Sequence, residues 1–246
     1  MALRSLSLII LIAIWQVAAM LAASRLLPEP LAVVDVMLRE ARSGALFFNL
    51  STTLARVVVS FGFAMLFGTL FGVLMGRNET VNRLGDPWLV VLLNLPALVI
   101  IVLAYVWMGL TDAAAILAVA LNKLPNATVT IREGARDLDS GLEEMATVFA
   151  MPWRTRVKHV LLPQLAPYIA AATRSGLSIV WKIVLVVELL GRSNGVGFEI
   201  GTAFQLFDVA LLLAYAVPFV GIMLAIETFI VQPFEQHVSR WRPKTA

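Results

Sequence analysis

The sequence predicts an all-α integral membrane protein of about six transmembrane helices. Three observations carry that reading. Of 246 residues, 60% are hydrophobic and only 14% charged. Mean hydropathy is +0.87. The apolar residues fall into separated runs, each near the ~20 residues that a membrane crossing needs. A soluble domain carries roughly a quarter charged residues, so too few polar side chains are present here to clothe a surface in water. Lipid is the expected solvent, and 1–246 reads as one transmembrane domain.

The first run, Leu6 to Ala23, follows Arg4. It is too long for the apolar core of a signal peptide, and "AASRLLPEP" is a poor cleavage site, so a retained helix is expected. Residues 25–50, opened by Pro28 and Pro30, are too polar to span. They are expected on the outer surface as one or two short amphipathic helices. The second run, Leu54 to Gly76, carries Gly68, Gly72 and Gly76 at four-residue spacing, a small-residue ridge that lets another helix approach closely. The third runs from Trp88 to Met108 and, after the turn "GLTD", the fourth from Ala113 to Ile131. Residues 132–163 form the longest polar stretch. The fifth run spans Pro167 to Leu190, a glycine-rich segment at 191–203 reads as an outer or re-entrant turn, and the sixth spans Phe207 to Val231. Pro218 is expected to kink that last helix or be accommodated by its neighbours.

Basic residues set the orientation. With the N-terminus inside, the inner side holds Arg4, Arg77, Arg83, Arg132, Arg136, Arg154, Arg156, Lys158, Arg240, Arg242 and Lys244. The outer side holds Arg25, Arg39, Arg42, Arg56 and Arg192. The reverse arrangement would invert the positive-inside rule. Both termini and the 132–163 loop are therefore expected in the cytoplasm.

Several chemistries are not supported. There is no cysteine, and His159 and His237 lie far apart, so no metal-ligand spacing exists and no cofactor is expected. The net charge of +3 lacks the basic stripe with interleaved aromatics of a nucleic-acid binder. No G-x-x-x-x-G-K-[ST] is present, so the chain cannot supply its own nucleotide loop. The glycines at 191–201 follow no strand and lack dinucleotide spacing. The N-x-[ST] matches at Asn49, Asn78 and Asn126 read as chance. A non-enzymatic role is expected.

The cytoplasmic loop has a grammar of its own. Ser140-Gly141-Leu142-Glu143 has the form of a capping box, so a helix is expected to start just after Ser140. Its apolar residues Met145, Val148, Phe149 and Met151, followed by Trp153, need a cover: a protein partner, lipid, or the chain's own helix ends. Residues 144–163, "EMATVFAMPWRTRVKHVLLP", resemble the EAA loop of ABC importer permeases. Glu144, Ala146, Leu162 and Pro163 fall in register. Met145, Ala150 and Val160 depart from the pattern, and Ala150 stands where a glycine would take a left-handed turn. Leu27-Pro28-x-Pro30, Arg56, Asp86-Pro87, Leu95-Pro96 and "VVELLGRSNGVGFEIG" are similar to the nitrate/sulfonate/taurine branch.

That resemblance implies a type I importer permease fold with a cytoplasmic coupling helix, in a bacterial inner membrane. It implies two permease copies, two separate ABC ATPase subunits and an extracytoplasmic substrate-binding protein. Glu144, Met145, Ala146, Phe149, Ala150, Met151, Trp153, Arg154 and Pro163 would form the ATPase socket. The solute would be a small oxyanion or organic anion such as nitrate, a sulfonate or taurine. Rival readings are a self-contained secondary transporter or channel, which lacks a visible repeat or coupling-ion site, and an intramembrane enzyme.

Ionisable residues within predicted spans are functional candidates by default. They are Lys123, Arg174, Lys182, Glu188 and Glu227. Arg174, Ser178 and Lys182 are four apart and share one helix side, which suits an anion pathway. The alternative is that Arg174 reaches the inner surface and Lys182 pairs with Glu188, Glu227 or a carbonyl.

Overall fold

The computed structural model describes residues 2–22, 24 and 26–239. Arg25, Arg240, Arg242 and Lys244, used above for orientation, lie outside the described residues, as does the side chain of Arg4. Among the described residues every regular element is a helix. It divides into two compact units, Met1–Ala55 with Leu185–Met223, and Arg56–Val184 with Leu224–Ala246.

The first unit begins with α1 (Ala2–Ala22) and α2 (Pro30–Ser43). Pro30 opens α2, where its missing N–H costs nothing, and Gly44 closes it at φ +83°. One face of α2 is buried through Val33 and Val36, packed with Trp15 and with Ala214 and Leu211 of α11 (Val209–Ile226). The Trp15 indole N–H donates to the Pro28 carbonyl at 3.0 Å. Of the expected amphipathic segment 25–50, residues 30–43 form one helix and residues 45–50 open the next.

Two expectations need correction in this unit. Helix α3 (Ala45–Arg77) begins well before Leu54. The polar run Asn49–Thr53 lies outside the expected span, but in the helix Ser51 and Thr52 donate back to the Phe48 carbonyl at 2.9 and 2.8 Å, while Asn49 and Thr53 are buried among partners. The glycine-rich segment is not a turn throughout. Gly195, at φ +106°, leads into helix α10 (Val196–Gln205). A Cβ on Gly197 would overlap the Leu185 carbonyl of α9 (Leu162–Gly191). The glycines serve close helix packing.

In the second unit the small-residue ridge works as expected. A Cβ on Gly68, Gly72 or Gly76 would stand 2.6, 2.7 and 2.6 Å from the Cβ atoms of Ala127, Ile131 and Ala135. Those residues lie on α6 (Asp112–Arg136), and a constant register therefore aligns the two helices in parallel. Ser60 and Ala64, both fully buried, extend the ridge upstream. A neighbouring side of α3 carries Phe63, Phe67 and Phe71, stacked at 6.2 and 6.3 Å between centroids.

The third expected span is broken. Helices α4 (Glu79–Asn94) and α5 (Ala97–Met108) meet at 98°. Pro96 lacks an N–H and forces Leu95 out of the helical region, to φ −70°, ψ 125°. Arg132 of α6 pairs with Asp86 on α4, and Arg56 pairs with Asp112 at 2.7 Å.

The fifth span begins earlier than Pro167. Helix α8 (Trp153–Arg156) runs through a π-turn at Val157–Leu161 into α9, giving one 39-residue helix, Trp153–Gly191. Helix α11 likewise runs through a π-turn at Glu227–Val231 into α12 (Gln232–Ser239). Each π-turn is followed by X-Pro, Leu162-Pro163 and Gln232-Pro233. A proline inside an α-helix clashes with the carbonyl four residues back. One i→i−5 turn, seen where Leu162 N–H bonds Val157 and Gln232 N–H bonds Glu227, shifts that carbonyl aside. Pro218 is carried within α11 without ending it.

Of the six expected crossings, Ala45–Arg77, Asp112–Arg136, Trp153–Gly191 and Val209–His237 are long apolar helices, α4 and α5 form one bent pair, and Ile9–Ala22 is a shorter apolar helix.

Candidate functional site

The helix of the polar 132–163 loop is α7 (Ser140–Val148). Its N-cap is Asp139 and not Ser140: the Asp139 carboxylate accepts from the N–H groups of Gly141 and Leu142 at 2.7 and 3.3 Å. A full negative charge complements the helix N-terminus better than a hydroxyl. The capping box does not form because Glu143 is engaged by Arg77, at the end of α3.

The far end of α7 closes by a Schellman motif. Met151 N–H bonds the Ala146 carbonyl at 2.9 Å, and Ala150 N–H bonds that of Thr147 at 3.0 Å. Ala150 sits at φ +45°, so the glycine-type turn is made without a glycine. An L-residue there carries about 1–2 kcal/mol of strain. Ala150→Gly is expected to stabilise this turn by about 1 kcal/mol, read as slower amide exchange at residues 150 and 151. Unchanged or faster exchange would show that the turn carries no such strain.

The loop is anchored within its own unit. Besides Arg77–Glu143, the Asp139 N–H donates to Gln164 at 2.8 Å, the Tyr168 hydroxyl donates to Asp137, and Ala146 is 2% exposed. Against this fixed base, Val148, Phe149 and Trp153 stand 81%, 72% and 73% exposed. The chain's own helix ends do not cover them. Glu144, Met145 and Arg154 are exposed, Met151 is half-buried, and Pro163 follows the π-turn in α9.

The intramembrane charges fall into three settings. Arg174 on α9 pairs with Glu235 at 2.8 Å and Glu227 at 3.6 Å, so Glu227 is the partner of Arg174 and not of Lys182. Arg174, Ser178 and Lys182 are all exposed along one side of α9. Lys123 on α6 is 1% exposed and lies against Gly176 of α9.

Glu188 is fully buried in the first unit. Its carboxylate accepts from the Thr53 hydroxyl at 2.9 Å and from Gly197 N–H, at the start of α10, at 2.8 Å. The Thr53 hydroxyl also accepts from Val196 N–H at 2.8 Å. Asn49 accepts from Gly195 N–H at 2.7 Å and donates to Glu199 at 3.0 Å. Tyr215 donates to Glu40 at 2.8 Å. Burial, with a smaller push from Glu40, holds the Glu199 carboxyl above its usual range against the Asn49 hydrogen bond. Asn49 and Thr53 were missed in the sequence; their four-residue spacing inside an apolar context was the available signal.

A sequence profile for binding-protein-dependent transport system inner membrane components matches residues 64–240. The chain belongs to this family. The permease is 30% identical, over 95% of its length and 85% of the relative, to a putative aliphatic sulfonates transport permease of Bacillus subtilis. It is 27% identical, over 86% and 81%, to a bicarbonate transport system permease of Synechococcus elongatus. It is 26% identical, over 81% and 75%, to a taurine transport system permease of Escherichia coli. Among solved structures, an inward-facing MetNI methionine ABC transporter aligns with TM-score 0.67 at 19% identity, covering 81% of the permease and 98% of that chain. An amino acid ABC transporter aligns at 0.64 and 20%, covering 82% and 98%. The permease is accordingly a multi-pass membrane protein with an ABC importer permease fold.

Proposed function

We propose that this permease forms the pathway of a bacterial inner-membrane importer for a small oxyanion such as a sulfonate, taurine or bicarbonate, driven by separate ATPase subunits. The observation that carries the coupling part is the exposed apolar set of Val148 at the end of α7, Phe149 just after it and Trp153 at the start of α8, on a loop otherwise locked to its own unit. Uncovered aromatic anchors on a rigid base suit a protein socket. Glu144, Met145, Ala150, Met151 and Arg154 surround them, and buried Ala146 with Pro163 holds the base. The pathway reading rests on the exposed Arg174, Ser178 and Lys182 row, facing a second copy, with Lys123 and Glu188 buried nearer the helix cores. The relatives' named solutes support an anion. An extracytoplasmic binding protein delivers it, and both termini lie in the cytoplasm.

Because α7 and the start of the 39-residue helix are tied together, ATPase closure would move α8–α9 as a rigid element and expose the pathway alternately. The test is co-purification of the ATPase with the tagged permease, wild type against Val148→Asp/Phe149→Asp. Both side chains are exposed, so insertion should survive. Two lost anchors should weaken retention by at least about a hundredfold. If wild type, expressed with its natural partners, retains no ATPase, the importer reading fails and a secondary transporter takes its place.

A further inference from the structure

Lys123 stands out among the buried ionisable residues. Arg56 has Asp112, Glu188 has Thr53 and Gly197, and Thr128 bonds its own helix at Leu124. Lys123, 1% exposed, forms no ion pair among the described residues. The helices beside it supply no carboxylate at its level. The register that pairs Gly68 with Ala127 places Ala64 opposite Lys123 on α3. On α9 the lysine meets Gly176, flanked one turn either way by the buried Ala172 and Val180. A Cβ on Gly176 would overlap Lys123 Cε, so the side chain lies along a strip of α9 that only glycine leaves bare.

An ammonium without a counter-ion in a water-poor interior is costly, and its field is poorly screened there. At about 100° per residue, Ser178 lies on the side of α9 opposite Gly176, with Arg174 and Lys182 one turn before and after it. Arg174 is compensated by Glu227 and Glu235, and Lys182 is exposed on the same side. Lys123 is neither paired nor exposed. We propose that Lys123 is a selectivity-determining charge: an uncompensated ammonium behind Gly176 that favours small anions over cations on the far, exposed side of α9. This rests on the reading of that side as the solute pathway. The lysine acts through the thickness of one helix, about 10 Å, and need not touch the solute.

The chain has no cysteine, so a single Ser178→Cys in the assembled complex reports the local potential. The probes are 2-sulfonatoethyl methanethiosulfonate, itself an alkanesulfonate, and its trimethylammonioethyl counterpart. The ratio of their reaction rates is measured with Lys123 and with Lys123→Met. Removing the charge should lower the anion-to-cation ratio by at least about tenfold, while thermal stability holds or rises because a buried charge without a partner is gone. A reactive cysteine with an unchanged ratio overturns the proposal and leaves the pathway reading standing. A cysteine silent to both reagents, in every nucleotide state, sinks the pathway placement and the proposal with it. A ratio that falls only alongside loss of the folded complex is checked with Lys123→Gln, which must lower the ratio in intact complex or the proposal is wrong.

Discussion

Gly72→Val is expected to cost about 3 kcal/mol or more of stability and to collapse the yield of monodisperse protein in detergent. The reason lies in what a Cβ would meet there: Ile131 Cβ at 2.7 Å, the Thr128 carbonyl oxygen at 2.8 Å and the Arg132 nitrogen at 3.0 Å. Two of the three are backbone atoms and the third is fixed to one, so no rotamer change can yield. The only relief is to push α3 and α6 apart. That separation would loosen the neighbouring contacts of Gly68 and Gly76 along the same ridge. The control sits on the same helix. A Cβ on Gly62 meets nothing within 4 Å, so Gly62→Ala should be neutral or stabilise by up to about 1 kcal/mol through helix propensity. Equal thermal midpoints for the two variants would refute the close approach of α3 and α6.

This ridge was legible in the sequence because its signal is local and repeated: three small residues at one spacing on an apolar helix admit few other uses. For α2 the opening was legible at Pro30, while its end at Gly44 emerged only in the structure. Legibility failed where a residue's role depends on a distant partner. Ser140 and Glu143 match a capping box, but Arg77 claims the glutamate and Asp139 outcompetes the serine. Asn49 and Thr53 fall outside the expected second span because their partners, Glu199, Gly195, Val196 and Glu188, come more than a hundred residues later. The break at Pro96 was visible as a residue and unreadable as an angle, since a proline inside an apolar run can be absorbed, as Pro218 is, or can turn the chain. The π-turns before Pro163 and Pro233 show a third outcome. The residues proposed as the ATPase socket, 144–154, were picked out by motif, and the exposure of Val148, Phe149 and Trp153 follows from α7 being pinned on its Ala146 side. The unpaired state of Lys123 could not be read at all, because it depends on what α3 and α9 place beside it.

Glu188→Ala should cost about 3 kcal/mol or more, since it strands the Gly197 N–H and removes the acceptor of the Thr53 hydroxyl in a site with no water exposure. Glu188→Gln keeps an acceptor for Thr53 and Gly197 while removing the charge at the start of α10, so a smaller loss of about 1 kcal/mol is expected. Gly195→Ala separates the two parts of the glycine requirement. At φ +106° any side chain is strained, and a Cβ would also overlap the Glu188 carboxyl group. In a Glu188→Ala background the overlap vanishes and only the backbone strain persists. The double variant should therefore be more stable than the sum of the single losses by about 1–2 kcal/mol, the range seen for residues in direct contact. Strict additivity in thermal unfolding would mean that Gly195 is required for its backbone alone, and that the carboxylate does not reach the turn. The coupling, if measured, identifies Glu188 as the pin that fixes α10 against α9, a role in which the carboxylate is consumed by its partners.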